Sequence, residues 1–95
     1  MRLSYAQLNF VVDVLREAKR DAHLCWQRSM DEVDTARAFY DSWYKQNPDA
    51  SKEEKALTFK DHTSVPLQNE VEAREAYEFA NAVYTKFVDE GVFEI

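Results

Sequence analysis

Two histidines and one cysteine are the side chains of this 95-residue chain best suited to acid–base or nucleophilic chemistry. His62 lies in segment 60–64, Lys-Asp-His-Thr-Ser, where an acid, an imidazole and hydroxyls are adjacent. Adjacency in sequence is not the spatial arrangement that a nucleophile and its base require. His23 reads as a solvated surface histidine, and Cys25 reads as a small packed hydrophobic residue on a helix. The sequence therefore predicts no catalytic residue.

Metal and cofactor sites lack their ligand patterns. The chain contains no Glu-x-x-His, His-x-x-x-His or Cys-x-x-Cys motif, so helical di-metal sites and zinc sites are not predicted. A single glycine excludes a glycine-rich phosphate loop. The single cysteine also excludes an internal disulfide, which favours a reducing, intracellular location. We expect no metal and no cofactor.

A basic cluster formed by Arg16, Lys19 and Arg20 is a possible anion-binding site, because these residues are neighbours on one helix face. Acidic residues interleave with the cluster. The spacing predicts surface ion pairs between Asp13 and Arg16 and between Glu17 and Arg20, which favours a solvated face over a nucleotide site.

Aromatic residues are concentrated near position 40, where four occur within six residues: Phe39, Tyr40, Trp43 and Tyr44. The plain interpretation is that a short following helix covers them with Leu57 and Phe59. The functional interpretation is an anchor for a protein partner, since binding hot spots favour Trp and Tyr.

Acidic residues are concentrated in the second half of the chain. The net charge is −6, and positions 49–95 hold eleven acids against five bases. Such a balance is unsuited to direct binding of nucleic acid or an anionic membrane. Glu70, Glu75 and Glu78 form a candidate acidic face, which is either solvated or a mimic of a DNA phosphate row.

The elements that position these residues are helices, and the fold class is all-α. An apolar repeat of three and four predicts helix one over 4–46, with a Ser4–Gln7 capping box and a chance of a break at Ser29. A short middle helix is predicted over 51–59, a loop follows over 60–65, and helix three is predicted over 66–90 with Pro66 in its first turn. A tail at 91–95 completes a single helical domain, either a helical hairpin or a small three-helix bundle.

Antiparallel packing of helix three on helix one is expected with opposed residue numbers summing to about 113. That register leaves the start of helix one uncovered. We therefore predict self-association through four apolar residues there: Leu8, Val11, Val12 and Leu15.

The function favoured by these patterns is non-catalytic. The chain reads as a small intracellular, cytoplasmic regulator or inhibitor that binds a protein partner and forms a homo-oligomer, without direct nucleic-acid or membrane binding. One alternative is an acidic DNA mimic that inhibits a DNA-binding protein. A second is an oligomeric binder of an anionic nucleotide.

Overall fold

The chain folds as an antiparallel hairpin of two long helices. The computed structural model describes residues 3–91, in which helix α1 spans Tyr5–Gln46, helix α2 spans Lys52–Tyr84, and a π-helical turn, Thr85–Asp89, extends α2. The hairpin measures 68 × 17 × 15 Å. Nothing in the described range is a β-strand. The all-α class is therefore correct, but the short middle helix and the three-helix bundle are wrong.

Helix α1 begins at the predicted cap. The Ser4 hydroxyl accepts the backbone N–H of Gln7 at 3.2 Å, and the Gln7 side chain accepts the backbone N–H of Ser4 at 2.9 Å. The helix runs without a break through Ser29, whose hydroxyl donates to the Cys25 carbonyl at 3.0 Å. That bond keeps the hydroxyl inside the helix, where it cannot cap a new one. The helix ends at the predicted place, immediately before Asn47.

Helix α2 replaces the predicted short helix, loop and third helix. It starts after Ser51, whose hydroxyl accepts the Glu54 N–H at 3.1 Å, and continues through Pro66. A proline inside a helix costs about 3 kcal/mol relative to alanine, so local propensity predicted a boundary there. Tertiary contacts on both sides of the proline outweigh that cost, because Phe59 and Glu70 both contact α1.

Observed contacts between the helices set a register different from the predicted one. Trp26 stacks on Tyr77 with ring centroids 5.5 Å apart, and Tyr40 packs edge-on against Phe59 at 5.1 Å. The residue numbers of these opposed pairs sum to 103 and 99, not to about 113. The error follows from the missing loop: because α2 begins directly after the turn, its start pairs with the end of α1. Helix α2 therefore reaches further back along α1 than predicted.

The interface between the helices, which we call the seam, is narrow and thinly buried. Only Val33, Ala36 and Thr63 are buried among the described residues. Thr63, predicted to lie in a loop, is 1% exposed, and its hydroxyl donates to the Phe59 carbonyl at 2.7 Å. Its burial therefore leaves no unsatisfied polar group. Small side chains at Ala36 and Thr63 let the helices approach closely at this point.

The hairpin exposes much more surface than a compact protein of its size. Its accessible surface is 7265 Å², whereas a compact monomer of 11.2 kDa has about 5,700 Å². Its radius of gyration is 20.6 Å, against about 12 Å for a compact 95-residue domain. Two helices alone therefore leave a large share of the apolar side chains in water.

The end of α2 follows the sequence prediction in one respect. Gly91 has φ of 70°, the left-handed conformation expected after a helix, which glycine adopts without steric cost. The expected packing of the tail lies at positions 92–95, outside the described residues.

Candidate functional site

The centre of the seam holds a polar and aromatic network that the sequence analysis missed. The Trp26 indole N–H donates to Glu70 Oε1 at 2.9 Å, and the Arg74 guanidinium lies 3.8 Å from the same oxygen. The Trp26 ring stacks on Tyr77, and the His23 ring lies 5.1 Å from Tyr77 between centroids. A half-buried Trp requires a partner for its N–H, and this requirement is the signal that could have indicated an acceptor across the hairpin. The prediction that His23 is a solvated surface residue is wrong, because its ring is half-buried beside Trp26 and Tyr77.

This network divides the predicted acidic face. The Glu70 side chain is only 17% exposed, accepts the hydrogen bond from Trp26 and forms an ion pair with Arg74. Glu75 and Glu78 remain exposed on α2. Glu70 therefore fixes the pairing of the two helices, and only two of the three predicted acids are free to face a partner.

Three of the four predicted aromatic residues near position 40 come together at the turn of the hairpin, whereas Phe39 is 64% exposed and is not part of the cluster. Tyr40 is its centre: the ring stacks over Trp43 at 6.0 Å, lies 6.1 Å from Tyr44, and packs edge-on against Phe59 at 5.1 Å. Tyr40 and Trp43 are half-buried, and Asn47 Nδ2 donates to the Trp43 carbonyl at 2.9 Å. Phe59 covers Tyr40 as predicted. The half-buried pair therefore holds the end of the hairpin closed.

Two large side chains beside this cluster remain in contact with water. Leu57 was predicted to cover the aromatics, but it is 61% exposed. Tyr44 is 44% exposed, and Lys55 Nζ lies 4.6 Å from the centre of its ring. We call the exposed pair Tyr44 and Leu57, together with the rings of Tyr40 and Phe59, the turn-end surface. Tyr44 contacts Tyr40, which packs on Phe59, and Leu57 lies two residues before Phe59 in α2.

The predicted basic cluster is divided between two environments. Arg16 pairs with Asp13 at 3.6 Å and Arg20 with Glu17 at 3.9 Å, which confirms both predicted ion pairs. These four residues line an open depression of about 280 Å³. Lys19 points elsewhere, with its Nζ 4.6 Å from the centre of the Tyr84 ring across the seam. The three cations therefore do not converge on one anion.

Cys25 and His62 both lie along one side of the hairpin. The seam follows a heptad pattern with Val33 and Thr63 at position a, so positions g and c of both helices border the same side. Phe39 and His62 line an open groove of about 320 Å³ there. Cys25 occupies another g position and is exposed, so its predicted packing on the apolar stripe is wrong. We call this side the groove face.

The four residues predicted to mediate self-association are half-buried. Spacing places Leu8, Val12 and Leu15 on the seam, in line with the residues that contact α2. Val11 is at a g position and belongs to the groove face. Because α2 reaches further back along α1 than predicted, most of these residues face α2 and are not available to a second copy of the chain.

Residues 3–91 contain no group of three His, Cys, Asp or Glu side chains that could hold a metal ion. His62 lines the same groove as Phe39, the Thr35 hydroxyl and two acids, Asp31 and Glu32. In the same range, no helix is long and apolar enough to cross a membrane.

Comparisons with known proteins return no relative: no family model, no characterised protein and no solved structure matches this chain.

Proposed function

We propose that this protein is a non-catalytic regulator or inhibitor that acts by binding another protein through its turn-end surface while assembled as a homo-oligomer. The observation that carries the proposal is the exposure of Leu57 at 61% and Tyr44 at 44% beside packed aromatic rings. The hairpin gains little by leaving such side chains in water.

Rigidity is the feature that makes this surface suitable for binding. Tyr40 contacts the rings of Trp43, Tyr44 and Phe59, so the cluster is already ordered before a partner arrives. A partner then meets a lower entropic cost of ordering side chains. Burial of the Tyr44 ring supplies the aromatic contact typical of hot spots, and Leu57 adds apolar area beside it.

The two alternatives have weaker support. A DNA mimic requires a row of free acids, but Glu70 is engaged with Trp26 and Arg74. A nucleotide site requires converging cations, but Arg16 and Arg20 are paired with acids and Lys19 lies over an aromatic ring. Binding to another protein is therefore the function whose proposed contact residues are still available.

The test compares two leucines. The immobilised chain captures proteins from lysate, the captured protein is purified, and its affinity is measured for wild type, Leu57→Ala and Leu24→Ala. Leu24 is 45% exposed, so its replacement removes the same atoms away from the turn-end surface. We expect Leu57→Ala, combined with Tyr44→Ala, to weaken binding at least about 30-fold, since a hot spot contributes 2 kcal/mol or more. Leu24→Ala should bind normally.

Salt distinguishes this proposal from the DNA mimic. Apolar contact is not screened, so affinity should change little as salt rises. Affinity that falls steeply with salt, is lost on charge reversal of Glu75 and Glu78, and is indifferent to Leu57→Ala would establish the acidic alternative instead.

A further inference from the structure

We infer that the groove face is the contact between two copies of this chain, which pack antiparallel about a two-fold axis at Cys25 to form a four-helix bundle. This inference deepens the homo-oligomer of the proposed function. It does not involve the turn-end residues Tyr44 and Leu57, so the two surfaces are tested separately.

The area left exposed by the hairpin matches what a dimer needs. The surface exceeds that of a compact monomer of the same mass by about 1,600 Å². Covering this excess on both copies would bury about 3,200 Å² in total, which is within the roughly 2,000–5,000 Å² of obligate homodimer interfaces. One additional hairpin, laid along the length of the first, is therefore sufficient to cover the excess.

Exposed apolar side chains identify the groove face as the side to be covered. Phe39, Val65 and Phe79 are each more than 60% exposed and lie at g or c positions on this side. Cys25 and Ala76 are smaller exposed residues between them. The ion pairs Asp13–Arg16 and Glu70–Arg74 fall on the opposite side, and six of the seven charged residues at outward f positions are acidic. Only the groove face combines large apolar side chains with small ones along both helices.

The position of the axis follows from overlap. Two identical helices that run antiparallel make the longest contact when they cross at their midpoints. The midpoint of Tyr5–Gln46 lies at Cys25 and Trp26, and of these two only Cys25 is on the groove face. An axis there places residue i of α1 at the height of residue 50 − i of the partner's α1, because both helices rise by the same amount per residue.

Charge complementarity supports the same axis. Asp21 and Arg28 are exposed and form no ion pair with any described residue. Their numbers sum to 49, one residue or about 1.5 Å from the sum of 50 that the axis sets, so each faces the other across the axis, twice per dimer. Val11 then faces Phe39 of the second copy, which matches apolar with apolar. On α2, Glu90 faces the His62 imidazole, which can donate a hydrogen bond to it.

The other two-fold arrangement, with both turns at the same end, is less complementary. It places each α1 residue at the height of the α2 residue that it already neighbours in its own hairpin. Asp21 would then lie within one helical turn of the height of Phe79, and Val14 within one turn of the height of Lys86, which brings charges close to apolar groups. An isologous antiparallel dimer avoids both mismatches.

Thiol cross-linking tests the axis directly. Wild-type protein treated with a short bismaleimide should run as a covalent dimer on a denaturing gel, and Cys25→Ser should not. In the Cys25→Ser background, Val14→Cys and Thr35→Cys should each stay monomeric alone, since the paired thiols would lie about 30 Å apart along the bundle. A mixture of the two variants should give a covalent heterodimer, because 14 and 35 sum to 49. Self-linking of Thr35→Cys would overturn the inference in favour of the arrangement with both turns at one end.

Light scattering and charge exchange complete the test without depending on cysteine. Wild-type protein should scatter as a dimer of twice 11.2 kDa. Asp21→Arg alone and Arg28→Asp alone should raise the dissociation constant at least tenfold, and the double variant should recover most of the loss. Leu24→Glu, a new charge one residue from Cys25 but on the outward side, should leave the dimer intact. A wild-type monomer at tens of micromolar overturns the inference, and a monomer that still binds a partner protein through Leu57 leaves the turn-end proposal standing.

Discussion

The Trp26–Glu70 hydrogen bond predicts a specific loss of stability when its acceptor is removed. Glu70→Ala leaves the indole N–H of Trp26 without its partner at 2.9 Å and removes the carboxylate beside Arg74. A hydrogen bond to a charged group contributes about 1.5–3 kcal/mol. The Arg74 pair adds at most about 0.5 kcal/mol, because the guanidinium side is 43% exposed. Alanine regains a few tenths in helix propensity. The net cost should be about 2 kcal/mol.

Glu75→Ala is the matched control for this measurement. Glu75 lies on the same helix, is exposed, and undergoes the same chemical change. Its free energy of unfolding should stay within about 0.5 kcal/mol of wild type. Urea unfolding followed by circular dichroism should give a lower midpoint for Glu70→Ala by about 1 M, with a slope near 2 kcal/mol/M. All variants are compared at one protein concentration, because the dimer that we propose would make stability depend on concentration.

A second pair of variants separates the hydrogen bond from simple loss of volume. Trp26→Phe removes the donor and leaves Glu70 half-buried, so it should also destabilise the hairpin. Replacing both partners, Trp26→Phe with Glu70→Leu, should cost less than the sum of the single changes, since no polar group is left unpaired. Equal stability of Glu70→Ala and Glu75→Ala would refute the assignment of Glu70 as the acceptor that fixes the register.

Two further predictions concern the local signals in α2. Pro66→Ala should raise the free energy of unfolding by about 1–2 kcal/mol and the thermal midpoint by roughly 5–15 °C. An internal proline costs about 3 kcal/mol, and packing of the half-buried ring offsets part of that cost. A lower midpoint in calorimetry would mean that the packing of the ring dominates. Ser51→Ala should cost about 1 kcal/mol through loss of the N-cap bond to Glu54, whereas Ser64→Ala, in the interior of the same helix, should be neutral or slightly stabilising; equal effects in urea unfolding would show that the cap contributes nothing.

The sequence was sufficient for α1 but not for α2, and the difference has a physical cause. Helix α1 carries an unbroken apolar repeat and a complete capping box at Ser4 and Gln7, and both signals are local. In α2 the seam passes through Thr63, Pro66 and Glu70, which do not read as interface residues. The spacing of three and four from Phe59 to Phe87 is nevertheless continuous. A reading that accepted polar seam positions would have predicted a single helix.

The sequence predicted the contacts of site residues correctly where those contacts involve only neighbours along one helix. The Asp13–Arg16 and Glu17–Arg20 pairs were of this kind. Residues whose environment depends on the other helix were predicted wrongly: Lys19 lies across the seam over Tyr84, and Cys25 is exposed on the groove face. A difference of one heptad position decides whether a residue lies on the seam or beside it. The position of the seam on α1 depends on how α2 packs against it, which the sequence of α1 alone does not give.

The short turn at residues 47–51 has a kinetic consequence. Contacts across the hairpin are nested around it, so Tyr40 and Phe59 are 19 positions apart, while Lys19 and Tyr84 are 65 apart. Closing the longer loop directly costs about 1 kcal/mol more in chain entropy. We therefore expect folding to proceed as a zipper from the turn, each contact shortening the loop left for the next, and opening to proceed in reverse from the far end. On this expectation the aromatic cluster at the turn forms first and separates last, so its rings keep their arrangement while the distant ends of the two helices come apart.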